Sequence, residues 1–384
     1  MRRKTKICLN SMVGNEAHAI LRMLKSVEPY IDYWVIQCNG NDETQQIIED
    51  FFREKDIPGF TYKIEWQFPG WNRNHTLQEC LKSNHQCDWI LRMDADETLI
   101  VDDDFDWTIL EDTSIDSYNI TALNGELRYF RTWFWNAKLP WFFAMDKRHE
   151  TIHLPEVGEN FQRAMMPFSF RHNVVNDGIT WTVPRKFLKD ALELEMDNVV
   201  NMKVLDDFYH LWYIAKSYSD CYSSSNELPF GKQHSDEYAR RCIWYFERFL
   251  EKRHNWFGIG KPESTCEMGY FALIAMGDAY LFMGNFNSAE KCYNDADMFV
   301  SLRNEHHLQK AYMFEKMGRI DELKELLVYM LKPERTNPFP FRSSFLIDSR
   351  IYHDTGNLLQ NWLTKLDVTA GLPTVSNDSV NFFS

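Results

Sequence analysis

Two carboxylates one residue apart, Asp94 and Asp96, close the apolar run Trp89-Ile90-Leu91-Arg92-Met93. Hard oxygen donors in this pattern suit a divalent cation such as Mn2+ or Mg2+, which keeps coordination positions for substrate phosphates. Ala95, between them, is small enough to let a ligand lie against the backbone. The competing reading is a solvated acidic turn, and Asp102-Asp103-Asp104 just downstream reads that way. A second feature is the aromatic stretch carrying Trp133, Trp135 and Trp141. Indole faces stack on sugar rings, so these three are candidates for acceptor binding, against a plain role in core packing.

The elements that must position these groups alternate through the first third of the chain. Lys6–Val13, Tyr33–Gln37, Tyr62–Trp66 and Trp89–Met93 read as short apolar strands. Between them Ala17–Ser26, Thr44–Lys55 and Asn74–Ser83 carry apolar residues at helical spacing. Such alternation predicts an α/β domain with a largely parallel sheet covered on both faces. Sheets of that kind bind ligands beyond the carboxyl ends of their strands, where the polar loops at 10–16, 38–43 and 94–97 fall. Residues 107–190 are less regular and predict strands with long loops.

After about residue 190 the pattern is helical and repeats itself. Met276-Gly277, Tyr280, Gly284, Phe286, Ala289, Tyr293 and Ala296 recur as Ala311, Phe314, Gly318, Ile320, Leu323 and Leu327. Ala311 lies 34 residues after Gly277, and Gly318 lies 34 after Gly284. That is the period of tetratricopeptide (TPR) helical hairpins. Small residues let two helices approach and aromatics fill the groove between them. A degenerate earlier copy spans Ile214-Ala215, Tyr218, Cys242, Phe246 and Phe249, interrupted by a polar insertion at 221–236.

Composition narrows the function classes. The 384 residues carry a formal charge of −14, which argues against a general nucleic-acid binder. Aromatic residues reach 15%. The basic start Met-Arg-Arg-Lys leads into an apolar run broken by Asn10 and Ser11, with no small-residue cleavage site, so it reads as a first strand rather than a signal peptide. No run is long enough for a transmembrane segment. The eight cysteines include no C-x-x-C pair and predict buried thiols, which points to a cytoplasmic protein, membrane-peripheral if its acceptor is a lipid.

Taken in order, Asn10-Ser11-Met12-Val13-Gly14-Asn15-Glu16, Asn39-Gly40-Asn41-Asp42, Trp71-Asn72-Arg73-Asn74 and Trp89-Ile90-Leu91-Arg92-Met93-Asp94-Ala95-Asp96-Glu97 resemble the motifs of inverting, family-2-like glycosyltransferases with the GT-A fold. The match is close over the first 100 residues and loose to about 180, and a subgroup of such enzymes carries TPR-like helices behind the catalytic domain. The resemblance implies a GT-A domain over 1–195, a Rossmann-like mixed sheet with helices on both faces. It also implies all-α TPR-like repeats over 196–335, and the remaining 336–384 is expected to pack on those helices.

The resemblance also implies roles. Asp94 and Asp96 would hold Mn2+ or Mg2+ and the ribose–diphosphate, with His172 as a further metal or phosphate ligand. Asn10, Met12, Asn15, Glu16, Asn39 and Asp42 would shape the nucleotide pocket, and Arg73, next to Asn74, would face the diphosphate. Gln37 stands where the family usually has an acidic residue that contacts uracil. This departure leaves the base preference open: a UDP-sugar remains the default donor, beside GDP- and dTDP-sugars. Glu150, with Asp146 as the other candidate, would take the proton from the attacking acceptor hydroxyl, and the neighbouring His149 would bond the diphosphate or the base. The acceptor is a glycan, lipid or protein hydroxyl, and the repeats would bind a protein partner or a second copy. Two rival readings stand beside this one. The first is a non-catalytic TPR scaffold with a relic front domain. The second is a nucleotidyltransferase, a reading for which this sequence lacks the Gly-rich phosphate loop.

Overall fold

A computed structural model describes residues 4–82, 87–143, 152–154, 162–178, 185–200, 208–223, 232–253, 263–300, 303–336, 347–348, 351 and 357–366. The chain divides into two compact units, Met1–Gly125 with Tyr129–Val183, and Glu126–Arg128 with Pro184–Ser384.

The first unit is mixed α/β. Its elements in order are β1 (Ile7–Val13), α1 (Ile20–Val27), β2 (Tyr33–Cys38), α2 (Thr44–Glu54), β3 (Gly59–Tyr62), α3 (Pro69–Lys82), β4 (Trp89–Arg92), β5 (Glu97–Val101), β6 (Ser117–Asn124), β7 (Leu127–Asn136), β8 (Phe142–Phe143), β9 (Ile152–His153), β10 (Arg163–Met165) and β11 (Phe170–Val174). The main sheet runs β3-β2-β1-β4-β7-β6-β11-β5. Its first four strands are parallel, as the alternation predicts. Beyond them the sheet is mixed rather than largely parallel, because β7 pairs antiparallel with β4 and β5 antiparallel with β11. The strands β1, β2 and β4 are buried almost throughout and mostly apolar, with Asn10, Ser11, Gln37 and Arg92 as their buried polar positions, as suits a sheet covered on both faces.

Two elements sit upstream of their sequence reading. Strand β3 is Gly59–Tyr62, not Tyr62–Trp66, because Trp34 fixes that edge: its indole Nε1 donates to the Ile57 carbonyl at 2.9 Å and its backbone N–H to Pro58 at 3.3 Å. Helix α3 begins at Pro69 rather than Asn74, with a proline in its first turn, where a missing N–H costs nothing.

The second unit is helical where it is described. It contains α4 (Lys186–Val200), α5 (Phe208–Ser223), α6 (Lys232–Arg253), α7 (Glu263–Phe282), α8 (Phe286–Asp297), α9 (Glu305–Met317), α10 (Ile320–Met330), the short α11 (Pro333–Thr336) and α12 (Asn357–Lys365), with the two-residue strand β12 (Ile347–Asp348) before α12. The division between units falls ahead of α4 rather than at residue 195, since Ala191 and Leu194 of α4 join the core formed by Leu211, Ile214 and Phe246. The 34-residue spacing is visible in the backbone. Gly284 and Gly318, which close α7 and α9, both adopt the left-handed conformation, at φ +78° and +69°. A Cβ on Gly277 would lie 2.4 Å from the Tyr293 ring, so α7 and α8 depend on glycine for their close approach. In the tail, Leu359, Trp362 and Leu363 of α12 pack with Leu323 and Leu327 of α10, and Trp362 donates to Glu315 at 3.0 Å. No helix among the described residues is long and apolar enough to cross a membrane. Cys8, Cys38, Cys80, Cys87, Cys221, Cys242 and Cys292 are unbridged.

Candidate functional site

The carboxyl end of β4 collects charge. Arg92 is the last residue of that strand and is 7% exposed. The β4–β7 register pairs Ile90 with Trp135 and Leu91 with Phe134. Continued by one residue it sets Arg92 beside Trp133, and the Arg92 guanidinium lies 4.4 Å from the Trp133 ring. Arg131, two residues back on β7, lies 4.3 Å from the same ring. Arg73 enters from α3. One indole thus supports two guanidiniums through its π-face, a contact that strengthens away from water.

Asp94 is the anion these cations share. Arg73 Nη1 reaches its Oδ1 at 3.2 Å and Arg92 Nη2 its Oδ2 at 3.7 Å. Burial by itself raises the Asp94 pKa, but the positive charges of Arg73, Arg92 and Arg131 outweigh it and hold the carboxyl well below the usual carboxylate range. Glu97, 1% exposed, closes the arrangement from below. Its Oε1 accepts from Arg131 at 2.6 Å and its Oε2 from the Asp94 backbone N–H at 3.2 Å. His172, also 1% exposed, brings Nδ1 to 3.4 Å from Glu97 Oε2 and stacks on Trp133 with 5.2 Å between ring centroids. Asp96 is half-buried. Gly178 lies against it, and a Cβ there would come within 3.2 Å of its carboxylate. Its backbone carbonyl is fixed by the Val175 N–H at 2.9 Å.

The expected metal triad is not assembled in this arrangement. The ligand atoms of Asp94, Asp96 and His172 do not gather within 4.8 Å of one another. Asp94 is engaged by arginines, and the Nδ1 of His172 faces Glu97. Asp96 fits as a single carboxylate of the kind that holds Mg2+ together with substrate phosphates. Among the described residues, the group that does gather three such ligand atoms is Asp297, His306 and His307, at the turn between α8 and α9.

Several residues expected to touch the nucleotide also hold the sheet edge together. Asn10 is 4% exposed and donates to the Thr76 carbonyl at 3.1 Å and to Cys80 Sγ at 3.1 Å, which ties β1 to α3. Gln37 is fully buried and accepts from Thr76 Oγ1 at 2.9 Å, so its amide reaches no base without a rearrangement of α3. Asn15 Oδ1 accepts from the Asn41 N–H at 2.7 Å and the Asp42 N–H at 3.2 Å. Asp42 in turn accepts from the Ala17 N–H at 3.2 Å and the Thr44 N–H at 3.0 Å. The Thr44 hydroxyl then accepts from the Glu16 N–H at 2.8 Å. These bonds lock the first two loops to each other. Asn39 Oδ1 accepts from the Ile64 N–H at 3.4 Å, and Asn74 Oδ1 from the Phe143 N–H at 3.2 Å. Met12 is half-buried on β1, opposite Gln37.

The tryptophans expected to bind acceptor are core residues. Trp135 is fully buried and Trp141 is 1% exposed. Their indole N–H groups go to the carbonyls of Thr132 at 2.9 Å and Asn136 at 2.8 Å. Trp133, 8% exposed, is occupied by the two arginines. Glu150, His149 and Asp146 lie outside the described residues.

Arg92, Arg131 and Glu97 carry no role in the sequence reading of the site, although Arg92 and Glu97 stand in the motif around Asp94. Arg92 left one trace, a charged residue inside a run otherwise apolar enough to be a central strand. Arg131 left none, since its role depends on which strand pairs with β4. Comparison with known proteins adds no assignment: no family model matches the chain, and no curated protein matches it.

Proposed function

We propose that the protein is an inverting glycosyltransferase of the GT-A type that moves a sugar from a nucleotide-diphosphate donor, UDP-sugar first, to an acceptor hydroxyl. The observation that supports this reading most is the convergence of Arg73, Arg92 and Arg131 at the carboxyl end of β4, beside the edge where parallel α/β sheets take their ligands. A diphosphate is the ligand that such a group of guanidiniums suits, through charge-assisted and bidentate hydrogen bonds. Asp94 holds the three cations in place, and a diphosphate arriving beside it would share them.

In this reading Arg73, which is 15% exposed, meets the donor first, while Arg92 and Arg131 set the field behind it. Negative charge that develops on the leaving diphosphate is stabilised by dipoles and charges already in place. Mn2+ or Mg2+ held by Asp96 and the donor's own phosphate oxygens would add Lewis-acid stabilisation of the same charge. Glu150 is our candidate for the group that removes the acceptor proton, with Asp146 as the other. We assign the helical unit a TPR-like architecture that binds a peptide partner or a second copy, and the reaction to the cytoplasm.

The test is donor turnover by the full chain against UDP-, GDP- and dTDP-sugars with Mn2+. Release of nucleotide diphosphate from one donor, lost in Arg73→Ala and reduced in Asp96→Asn, is the expected result. If no donor is turned over and no nucleotide diphosphate raises the melting temperature, the reading fails.

A further inference from the structure

We propose that Asp297, His306 and His307 form a binding site for one borderline divalent cation, of which Zn2+ is the natural probe. Asp297 is the last residue of α8, and the two histidines sit in the first turn of α9. His306 Nε2 lies 3.3 Å from Asp297 Oδ1 and His307 Nε2 lies 3.9 Å from the same atom. Ligand atoms around a tetrahedral Zn2+ with bonds of about 2.0 Å stand roughly 3.3 Å apart, a spacing that His306 already has from Asp297 and that His307 exceeds by a few tenths of an ångström, with all three donors within 4.8 Å of one another.

The second observation is a set of buried polar atoms that face one another without hydrogen bonds. His306 is 1% exposed and His307 9%. His306 Nε2, both ring nitrogens of His307 and Asp297 Oδ1 are buried and make no hydrogen bond among the described residues. Groups without hydrogen bonds recover only part of their desolvation cost, and a cation at their common point would satisfy one atom from each side chain. The other nitrogen of His306 is held: Nδ1 lies 2.9 Å from the Tyr270 hydroxyl, which donates to Glu305 Oε2 at 3.0 Å. A proton on Nδ1 completes that chain and leaves Nε2 as the ligating lone pair, the usual support for a metal-bound imidazole.

The charge around the site favours a cation. Asp297, Glu267 and Glu305 face Arg303 and Arg335, three carboxylates to two guanidiniums. Lys310, whose charge also reaches His307, is paired with Glu290 at 3.5 Å. Burial, more than any neighbour, keeps both imidazoles uncharged, the form a metal needs. Two nitrogens and one oxygen leave a fourth position for water or a ligand, as in zinc sites that are not purely structural. The proposal does not rest on the transferase reading.

Full-length protein stripped with a chelator and titrated with Zn2+ by calorimetry should bind one ion per chain. His307→Ala and Asp297→Asn should each weaken that binding at least about tenfold, while Asp321→Asn, an exposed acid on α10, leaves it unchanged. Co2+ in place of Zn2+ should give the intense visible bands of a four-coordinate site in the wild-type chain, a readout that stands even where a variant fails to fold. No stoichiometric Zn2+ binding by the wild type, variants that bind as it does, or a weak six-coordinate Co2+ spectrum would each overturn the assignment.

Discussion

At the carboxyl end of β4, three guanidiniums meet Asp94 and Glu97; at the turn from α8 to α9, two guanidiniums meet Asp297, Glu267 and Glu305. The same side chains are used with opposite balance. In the first group positive charge is in excess, and Asp96 bears instead on Arg22. In the second, negative charge is in excess beside two neutral imidazoles. Exposure differs as well. The side chains of Asp94 and Arg131 are 27% and 26% exposed, whereas those of Arg303 and Glu267 are each 1% exposed. The difference teaches what each centre is suited to: the more open, cation-rich edge suits an anion, while the acid-rich group, whose Arg303 and Glu267 are buried, braces the helices and suits a cation.

Removal of one arginine from each centre tests this most directly, and the largest effect is expected in the helical unit. Arg303→Ala leaves Glu267 and Glu305 without their shared cation in a dry site, and loss of one partner of a buried pair costs about 3–5 kcal/mol. Urea denaturation should show this as a lower midpoint. A loss no greater than that from Arg73→Ala would break the comparison.

Asp278, in the same helical unit, gives a pH signature. Burial pushes its pKa up to about 7, against which the Tyr293 hydroxyl donates a 2.8 Å hydrogen bond. The unfolded chain releases this proton near pH 4, so between about pH 4 and 7 the folded state binds more protons and loses stability as pH rises. Asp278→Asn should therefore raise the melting temperature by several degrees at pH 8 and leave it unchanged below pH 4. A pH-independent shift would assign the effect to packing.

Arg73→Ala is expected to act on binding. Its pair with Asp94 is partly exposed and contributes about 1 kcal/mol to stability. Its loss should weaken nucleotide-diphosphate binding at least about tenfold, read by calorimetry. The smallest effect is that of salt. Raising ionic strength from 0.1 to 1 M shortens the screening length from about 10 to 3 Å. Diphosphate affinity should fall several-fold across that range, while the Arg303 cluster, away from solvent, should not change.

How far the site was legible follows from the range of the interactions. Asp94 and Asp96 stand at a strand end because the run before them is apolar, a local pattern. Asn10, Asn15, Gln37 and Asp42 were legible as polar residues at the sheet edge, but their partners Thr76, Asn41 and Thr44, through which they brace the loops and strands, were not. Trp133, Trp135 and Trp141 show the same limit, because stacking on a sugar and packing in a core require the same side chain.

By itself the sequence determined the parallel start of the sheet, the helical second half and the 34-residue spacing that reappears as two left-handed glycines. These follow from periods of two and 3.6 residues and from backbone freedom, which act over a few positions. Only the tertiary structure decided that β7 lies antiparallel to β4 and so carries Trp133 and Arg131 to Arg92, and that Asp297 turns back to meet His306 and His307. Charge and π contacts reach only a few ångströms, and which residues come that close is fixed by strand register and helix packing, not by neighbours along the chain.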